Sequence, residues 1–374
     1  MRIGIPTEVK NNEFRVAATA EMVHELSARG HEVLVQSGAG AGSGIADADY
    51  AAVGARLTDT AQQTWGSAEL VLKVKEPIAS EYAFLRPGLA LFTYLHLAAD
   101  RPLTEALLSS GTRALAYETV RAPDGSLPLL VPMSQIAGRL SVTVGAYHLM
   151  RDHGGEGLLL SGVPGTPRGK VVVIGAGTAG RSAVAMAVGM RAQVTVLDID
   201  PAALRAVEDA HPGAVTTLVS AAPSLTRAVA DADLVIGSVL VPGARAPKLV
   251  TDQMVAAMRP GSVLVDIAID QGGCFEGSRP TTHDSPTFRV HDALYYCVAN
   301  MPGAVPRTAT AALTAATMRH ILALADLGVE GGVRASSALS SGVNTWDGRL
   351  VNAAVGEALD LPAVALSELV DAPA

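Results

Sequence analysis

Three glycines spaced as G-x-G-x-x-G stand at Gly175, Gly177 and Gly180, directly after the apolar run VVVI (171–174). That spacing suits one task, holding the pyrophosphate of a dinucleotide. Gly175 permits a tight turn, Gly177 lets the backbone approach the phosphates, and Gly180 lets the next helix pack closely on the strand. The helix that begins there offers unpaired N–H groups and the positive end of its dipole. The following apolar run, QVTVLD, ends in Asp198, eighteen residues beyond Gly180. A carboxylate at that place accepts hydrogen bonds from an adenosine ribose and repels a 2′-phosphate, so NAD is expected rather than NADP.

A second group of reactive side chains stands where other apolar runs end. Lys75 ends LVLKVK, His96 follows LALFTYL, Asp270 follows VLVDIAI, and Arg15 lies in the loop after RIGIP. Open parallel sheets bind ligands beyond the carboxyl ends of their strands, so these four are expected on facing edges of two domains. A guanidinium gives a carboxylate two parallel N–H bonds, and a nearby lysine adds a point charge. The two cations would also steer a small anion inward. Histidine, with an ordinary pKa of about 6.5, suits proton transfer near neutrality. Plainer readings exist for each: a solvated loop cation, a structural histidine, an aspartate that merely opens the Gln-Gly-Gly turn. Lys73 shares a strand face with Lys75, and periodicity does not say which of them matters. Spacing alone supports an NAD-linked enzyme acting on a small anion.

The elements that must position these residues read as an α/β chain. RIGIP and HEVLVQSG are strands joined by a helix with Met22, Val23 and Leu26 on one face, Thr19 at its cap and Gly30 at its stop. That unit implies a right-handed crossover in a parallel sheet. LVLKVK, LALFTYL and RALAYE continue the series. A second series begins at the glycine turn: KVVVIG, QVTVLD, ADLVIGSVL, GSVLVDIAI and YYCVANM. Pro- and Gly-rich stretches at 121–132 and 300–308 read as crossings between domains. The helix after the second crossing carries Met318, Ile321, Leu322 and Ala325 at helical spacing, a stripe that needs an apolar surface. The expected fold is therefore two Rossmann-like doubly wound α/β domains, the dinucleotide-binding domain inserted into a discontinuous substrate domain. The boundaries are placed at 1–128 plus 307–374 for the substrate domain and 129–306 for the NAD-binding domain.

Composition narrows the class. The 374 residues are 49% hydrophobic and 17% charged, enough for two ordinary cores. A net charge of −8 argues against a nucleic-acid partner, whose phosphates would be repelled. No uninterrupted apolar run nears the roughly 20 residues of a membrane span, and MRIGIP does not read as a leader, so a cytoplasmic chain without a membrane partner is expected. Cys274 and Cys297 lack metal-ligand spacing and read as reduced structural thiols.

Longer blocks carry a resemblance. MRIGIPTEVKNNEFRVA, LVLKVKEP, LFTYLHLAA, VIGAGTAG, LVPGARAPKLV, VDIAIDQGGCFEGSRPTTH and CVANMPGAVPRTAT together closely resemble the bacterial L-alanine dehydrogenase family, from residue 1 to about 325. The resemblance implies reversible oxidative deamination of L-alanine by NAD⁺ to pyruvate and ammonium, in a cytoplasmic homo-hexamer. It implies Arg15 and Lys75 as the substrate-binding pair and His96 and Asp270 as the catalytic pair. For the cofactor it adds Ser134, Thr178, Ala179, Asp198, Ser220, the Val239–Leu240 turn, Ile267, Ala268, Ile269, Asp270, Arg279, Val298, Ala299, Asn300 and Met301. Position 203, basic in some relatives, is Ala203, so that contact is not carried over. Positions that hold a metal in some relatives read Ala323 and Leu327, and no metal is expected. The alternative is the soluble NAD-binding component of a proton-translocating transhydrogenase, which resembles the same family but needs no amino-acid site.

Overall fold

The computed structural model describes residues 1–239 and 246–370, which form two compact units: Met1–Met133 with Val305–Ala374, and Ser134–Ala304. In chain order the strands are β1 (Arg2–Ile5), β2 (Glu32–Gln36), β3 (Arg56–Thr58), β4 (Leu70–Leu72), β5 (Ala90–Thr93) and β6 (Arg113–Ala116). The second unit holds β7 (Lys170–Ile174), β8 (Gln193–Asp198), β9 (Val215–Val219), β10 (Leu234–Gly237), β11 (Val263–Asp266), β12 (Thr287–Val290) and β13 (Ala293–Tyr296). The chain returns to the first unit for β14 (Val343–Trp346) and β15 (Arg349–Leu350).

The first sheet runs β15-β14-β6-β5-β4-β1-β2-β3, and the second β12-β13-β11-β10-β7-β8-β9. β1 through β6 are mutually parallel, with β14 and β15 antiparallel at one edge. In the second sheet only β12 is antiparallel. Each sheet is thus doubly wound in the 3-2-1-4-5-6 manner. Its order reverses once, between β1 and β4 in the first and between β7 and β10 in the second, the places where such sheets bind ligands.

Burial on both faces explains the unbroken apolar strands. Val171 and Val173 of β7 enter one hydrophobic cluster, while Val172 and Ile174 enter the other. A strand covered on two sides has no polar face to show, hence VVVI with no alternation. Helix Val131–His148 packs close enough that a Cβ on Gly138 would lie 2.1 Å from the Ala179 carbonyl oxygen.

Several expected elements shift. β4 stops at Leu72 and β5 at Thr93, so Lys75 and His96 lie in the loops beyond their strands. β13 stops at Tyr296, before CVANM, and Asp270 sits on a 3-10 turn, Ile267–Gln271, after β11. Thr19 occupies the cap position of helix Ala20–Ala28 without its side chain accepting a helix N–H; it bonds the Glu21 carboxylate instead. On helix Pro306–Ala335 the buried residues include Leu313, Thr314, Thr317, His320, Ile321, Leu324 and Ala325. Met318 and Leu322 are only half-buried, because threonines and a histidine share the inner face. Among the described residues this helix alone is long and apolar enough to cross a membrane. It breaks at Gly328, with φ at 75°, and Leu313, Ile321, Leu324 and Ala325 on it are buried in the first unit.

His320 makes that helix pH-sensitive. Burial first, then the Arg319 charge, lowers its pKa to about 4, and its Nε2 accepts the Arg319 Nε–H at 3.2 Å. The unfolded value is about 6.5, so the neutral ring contributes stability that is complete above that pH and is lost as pH falls toward 4. The loss is about 2 kcal/mol at 1.4 kcal/mol per pKa unit, allowing for partial solvation. Urea midpoints of wild type and His320→Gln should therefore converge between pH 7 and pH 4.5. A constant gap would refute the buried neutral imidazole.

Candidate active site

At the carboxyl ends of β1 and β2 the first unit has a cleft of about 480 Å³, lined by Thr7, Glu8, Lys10, Glu13, Phe14 and Arg15, among others. Arg15 is not a solvated loop cation. It is 2% exposed and paired side-on with Glu13, Nε–Oε1 at 2.6 Å and Nη2–Oε2 at 2.5 Å. Its Nη1 lies 3.1 Å from the Met133 sulfur. Burial opposes its charge, yet the Glu13 carboxylate outweighs burial and raises the guanidinium pKa.

The structure separates the two lysines that periodicity could not. Lys73 is buried between two carboxylates, Glu81 at 2.8 Å and Glu8 at 3.2 Å. Lys75 is half-buried, its backbone N–H directed to Glu8 Oε2 at 3.4 Å. Lys73 is therefore committed to the fold, and Lys75 is the less buried of the two. Glu8 also accepts the Val74 N–H at 2.6 Å. Burial raises its pKa, with Lys73 acting against the shift. Lys10 pairs with Glu76. Lys10, Arg15 and Lys73 are thus each paired with carboxylates: Glu76, Glu13, and Glu8 with Glu81. The lining of the cleft itself holds Glu8 and Glu13 along with Lys10 and Arg15, carboxylates and cations together.

His96 stands on the same edge of that sheet, beyond β5. Its side chain is exposed, and its ring stacks on Tyr94 with centroids 6.1 Å apart and planes 8° from parallel. Tyr94 is anchored in turn, its hydroxyl donating to the Leu129 carbonyl at 2.7 Å. Three distant stretches thus bring Arg15, Lys75 and His96 to the carboxyl edge of one sheet. Asp270 belongs to the second unit, on the exposed side of its 3-10 turn.

In the second unit the glycine turn has the cradle that a dinucleotide needs. Gly175 has φ at 101°, a left-handed conformation. A Cβ on Gly180 would lie 1.8 Å from the Gly175 carbonyl oxygen, so only glycine allows helix Thr178–Gly189 to sit this close. A Cβ on Gly177 would meet nothing within 4 Å, which leaves the turn open toward the sheet edge. Gly177 is the cap position and gives no side-chain cap, so the first N–H groups, at Thr178 and Ala179, point outward from the helix end. Asp198, at the end of β8, accepts the Ala176 N–H at 2.6 Å and the Asp200 N–H at 2.8 Å. Ser238, overlooked in the sequence, donates to the Ile174 and Gly175 carbonyls at 2.9 and 3.0 Å and braces the turn.

The remaining candidates gather along the same edge. Ser220 follows β9, and its N–H bonds the Asp198 carbonyl at 2.8 Å. Val239 follows β10; Leu240 lies outside the described residues. Ile267, Ala268 and Ile269 share the turn of Asp270, and Val298, Ala299, Asn300 and Met301 follow β13. Arg279 lies over the Phe288 ring, 4.3 Å from its centroid. Ser134 sits in the first turns of helix Val131–His148, one turn before Gly138. Asp266, also overlooked, is fully buried and ties this region together. Its carboxylate accepts from Ala268 N at 3.2 Å, Cys274 N at 2.9 Å and Ser278 Oγ at 2.6 Å. Its place at the end of an apolar strand was the only sequence signal. The thiols of Cys274 and Cys297 are raised by burial, Cys297 to about 12, as structural thiols are.

A doubly wound sheet with this glycine turn, in a chain whose other doubly wound sheet carries Arg15, Lys75 and His96 at its carboxyl edge, defines a dinucleotide-dependent oxidoreductase. The chain belongs to the alanine dehydrogenase/PNT family, matching its N-terminal domain over residues 4–137 and its C-terminal domain over residues 141–353. It is 60% identical to an alanine dehydrogenase of Mycolicibacterium smegmatis over 362 residues, covering 97% of this chain and 98% of that one. A solved structure titled L-alanine dehydrogenase superposes with a TM-score of 0.94 at 49% identity, covering 96% of this chain and 99% of that one. A transhydrogenase structure from Sinorhizobium meliloti is more distant, with a TM-score of 0.79 at 28% identity over 94% and 99% of the two chains.

Proposed function

We propose that this chain catalyses the NAD-dependent reversible oxidative deamination of L-alanine to pyruvate and ammonium. The observation that carries the reading is the convergence of Arg15, Lys75 and His96 on one sheet edge, in a chain 60% identical end to end to an alanine dehydrogenase. In this reading 1–128 plus 307–374 bind substrate and 129–306 bind NAD. Family membership likewise supports a cytoplasmic homo-hexamer.

The turn from Gly175 to Gly180, Asp198 and the strand-end residues described above would hold NAD⁺, which would supply the hydride acceptor. Arg15 takes the substrate carboxylate, its plane already set by Glu13, so little orientation is left to arrange on binding. Lys75 reaches the carboxylate or the oxygen that becomes the pyruvate carbonyl. Alanine's ammonium must lose a proton before its lone pair can drive loss of hydride from Cα. His96 takes that proton and passes it to solvent, takes another from the water that adds to the iminium carbon, and gives that one to the amino nitrogen as the carbinolamine breaks down to pyruvate and ammonia. Asp270 holds the amine or the water and stabilises the iminium charge. Purified protein should form NADH only when L-alanine and NAD⁺ are both present, and consume NADH with pyruvate plus ammonium. Activity with NADPH alone, or hydride exchange between two nucleotides without alanine, would favour the transhydrogenase reading.

A further inference from the structure

The backbone at His96 has φ 52° and ψ 36°, a left-handed conformation that a residue with a Cβ adopts only at a cost. Such a conformation persists only where the surroundings hold it, and here the holder is visible. β5 and β6 are paired with Thr93 opposite Ala116, so residues two positions beyond each strand end stand side by side. Glu118, on the 3-10 turn Tyr117–Thr119, accepts the His96 N–H at 2.6 Å. It also accepts the Leu95 N–H, at 3.1 Å on one oxygen and 3.2 Å on the other. Two successive N–H groups thus point at one half-buried carboxylate, while Tyr94 fixes the ring from its face.

We propose that Glu118 is a positioning residue: its carboxylate clamps the turn at His96 and so aims the imidazole. This rests on the assignment of His96 as acid/base above. Hydrogen bonds to an ionised acceptor are about twice as strong as neutral ones. The carboxamide of glutamine keeps one acceptor oxygen for the two N–H groups, and alanine keeps none. Without the clamp the turn relaxes toward ordinary negative φ, and the ring moves with it. A displacement near 1 Å at a reacting group costs about 10²-fold in rate.

The test is a double-mutant cycle on kcat, at saturating L-alanine and NAD⁺, with wild type, Glu118→Ala, His96→Ala and the pair. Glu118→Ala should lower kcat by about 10- to 100-fold with His96 present, and by no more than about twofold with His96 absent. The KM for alanine, which Arg15 governs, should move much less than kcat, and Glu118→Gln should fall between wild type and Glu118→Ala. Equal losses in both backgrounds would show a merely structural role and overturn the proposal, as would an unchanged kcat in Glu118→Ala. If Glu118→Ala does not fold, the same cycle is run with Glu118→Gln and judged by the same inequality. An unchanged kcat in His96→Ala would overturn the underlying assignment, and this inference with it.

Discussion

Replacing His96 by alanine should lower kcat by about 10²- to 10⁴-fold, the usual loss when general acid/base help is removed. The fold should survive, because the side chain is exposed and contributes ring stacking on Tyr94 rather than core packing. Binding of NADH, followed by its fluorescence, should be unchanged, since the residues of the glycine turn are untouched. A second substitution sharpens the point. Glycine accepts left-handed φ freely, so His96→Gly should be as inactive as His96→Ala yet about 1 kcal/mol more stable. Stability and activity then separate at a single position. Near wild-type kcat in either variant would remove His96 from the chemistry.

The second large effect lies at Arg15. Two charge-assisted hydrogen bonds to the substrate carboxylate are worth about 1.5–3 kcal/mol each, so Arg15→Met should lower kcat/KM for alanine by about 10²- to 10⁴-fold. It should also destabilise the protein by about 3–5 kcal/mol, because Glu13 is left as a buried, uncompensated charge. Both members of this pair are almost inaccessible, 2% and 6% exposed. The double variant Arg15→Met/Glu13→Gln removes both charges and should regain most of the stability while staying inactive. Arg15→Lys should keep the charge but lose the planar fork, and fall between. Denaturant midpoints and steady-state kinetics measured on the same four proteins decide the matter. If the double variant is no more stable than Arg15→Met, Glu13 is not the partner that the geometry shows.

How much of this could be read from residues alone follows from how local each signal is. The turn at Gly175, Gly177 and Gly180 was legible because glycine spacing, strand and helix are contiguous, and the contact that demands Gly180 is with Gly175, five residues away. The parallel sheets were legible from apolar runs with both faces buried, although strand ends were not: the runs LVLKVK and LALFTYL continue past the last ladder bond. Arg15 looked like a loop cation because nothing in NNEFRVA says that the Glu13 two residues earlier turns inward with it. Lys73 and Lys75 differ only through Glu81 and Glu8, one of them 65 residues distant in sequence. Glu118 was invisible for the same reason: its partners, Leu95 and His96, lie 23 and 22 residues away and are backbone groups, which leave no trace in side-chain patterns. The helix stripe through Met318 and Leu322 misled because Thr317 and His320 are polar by type yet are buried, with the Thr317 hydroxyl donating to the Leu313 carbonyl and the His320 ring accepting from Arg319.

The central claim is that this protein moves the hydrogen on the Cα of L-alanine to NAD⁺. L-alanine carrying deuterium at Cα, incubated with NAD⁺ and the purified protein, tests it directly by mass analysis of the reduced nucleotide. The reduced nucleotide should carry the deuterium, with pyruvate and ammonium formed in equal amount. Reduced nucleotide without deuterium, or none at all from a folded protein that binds NADH, would contradict it.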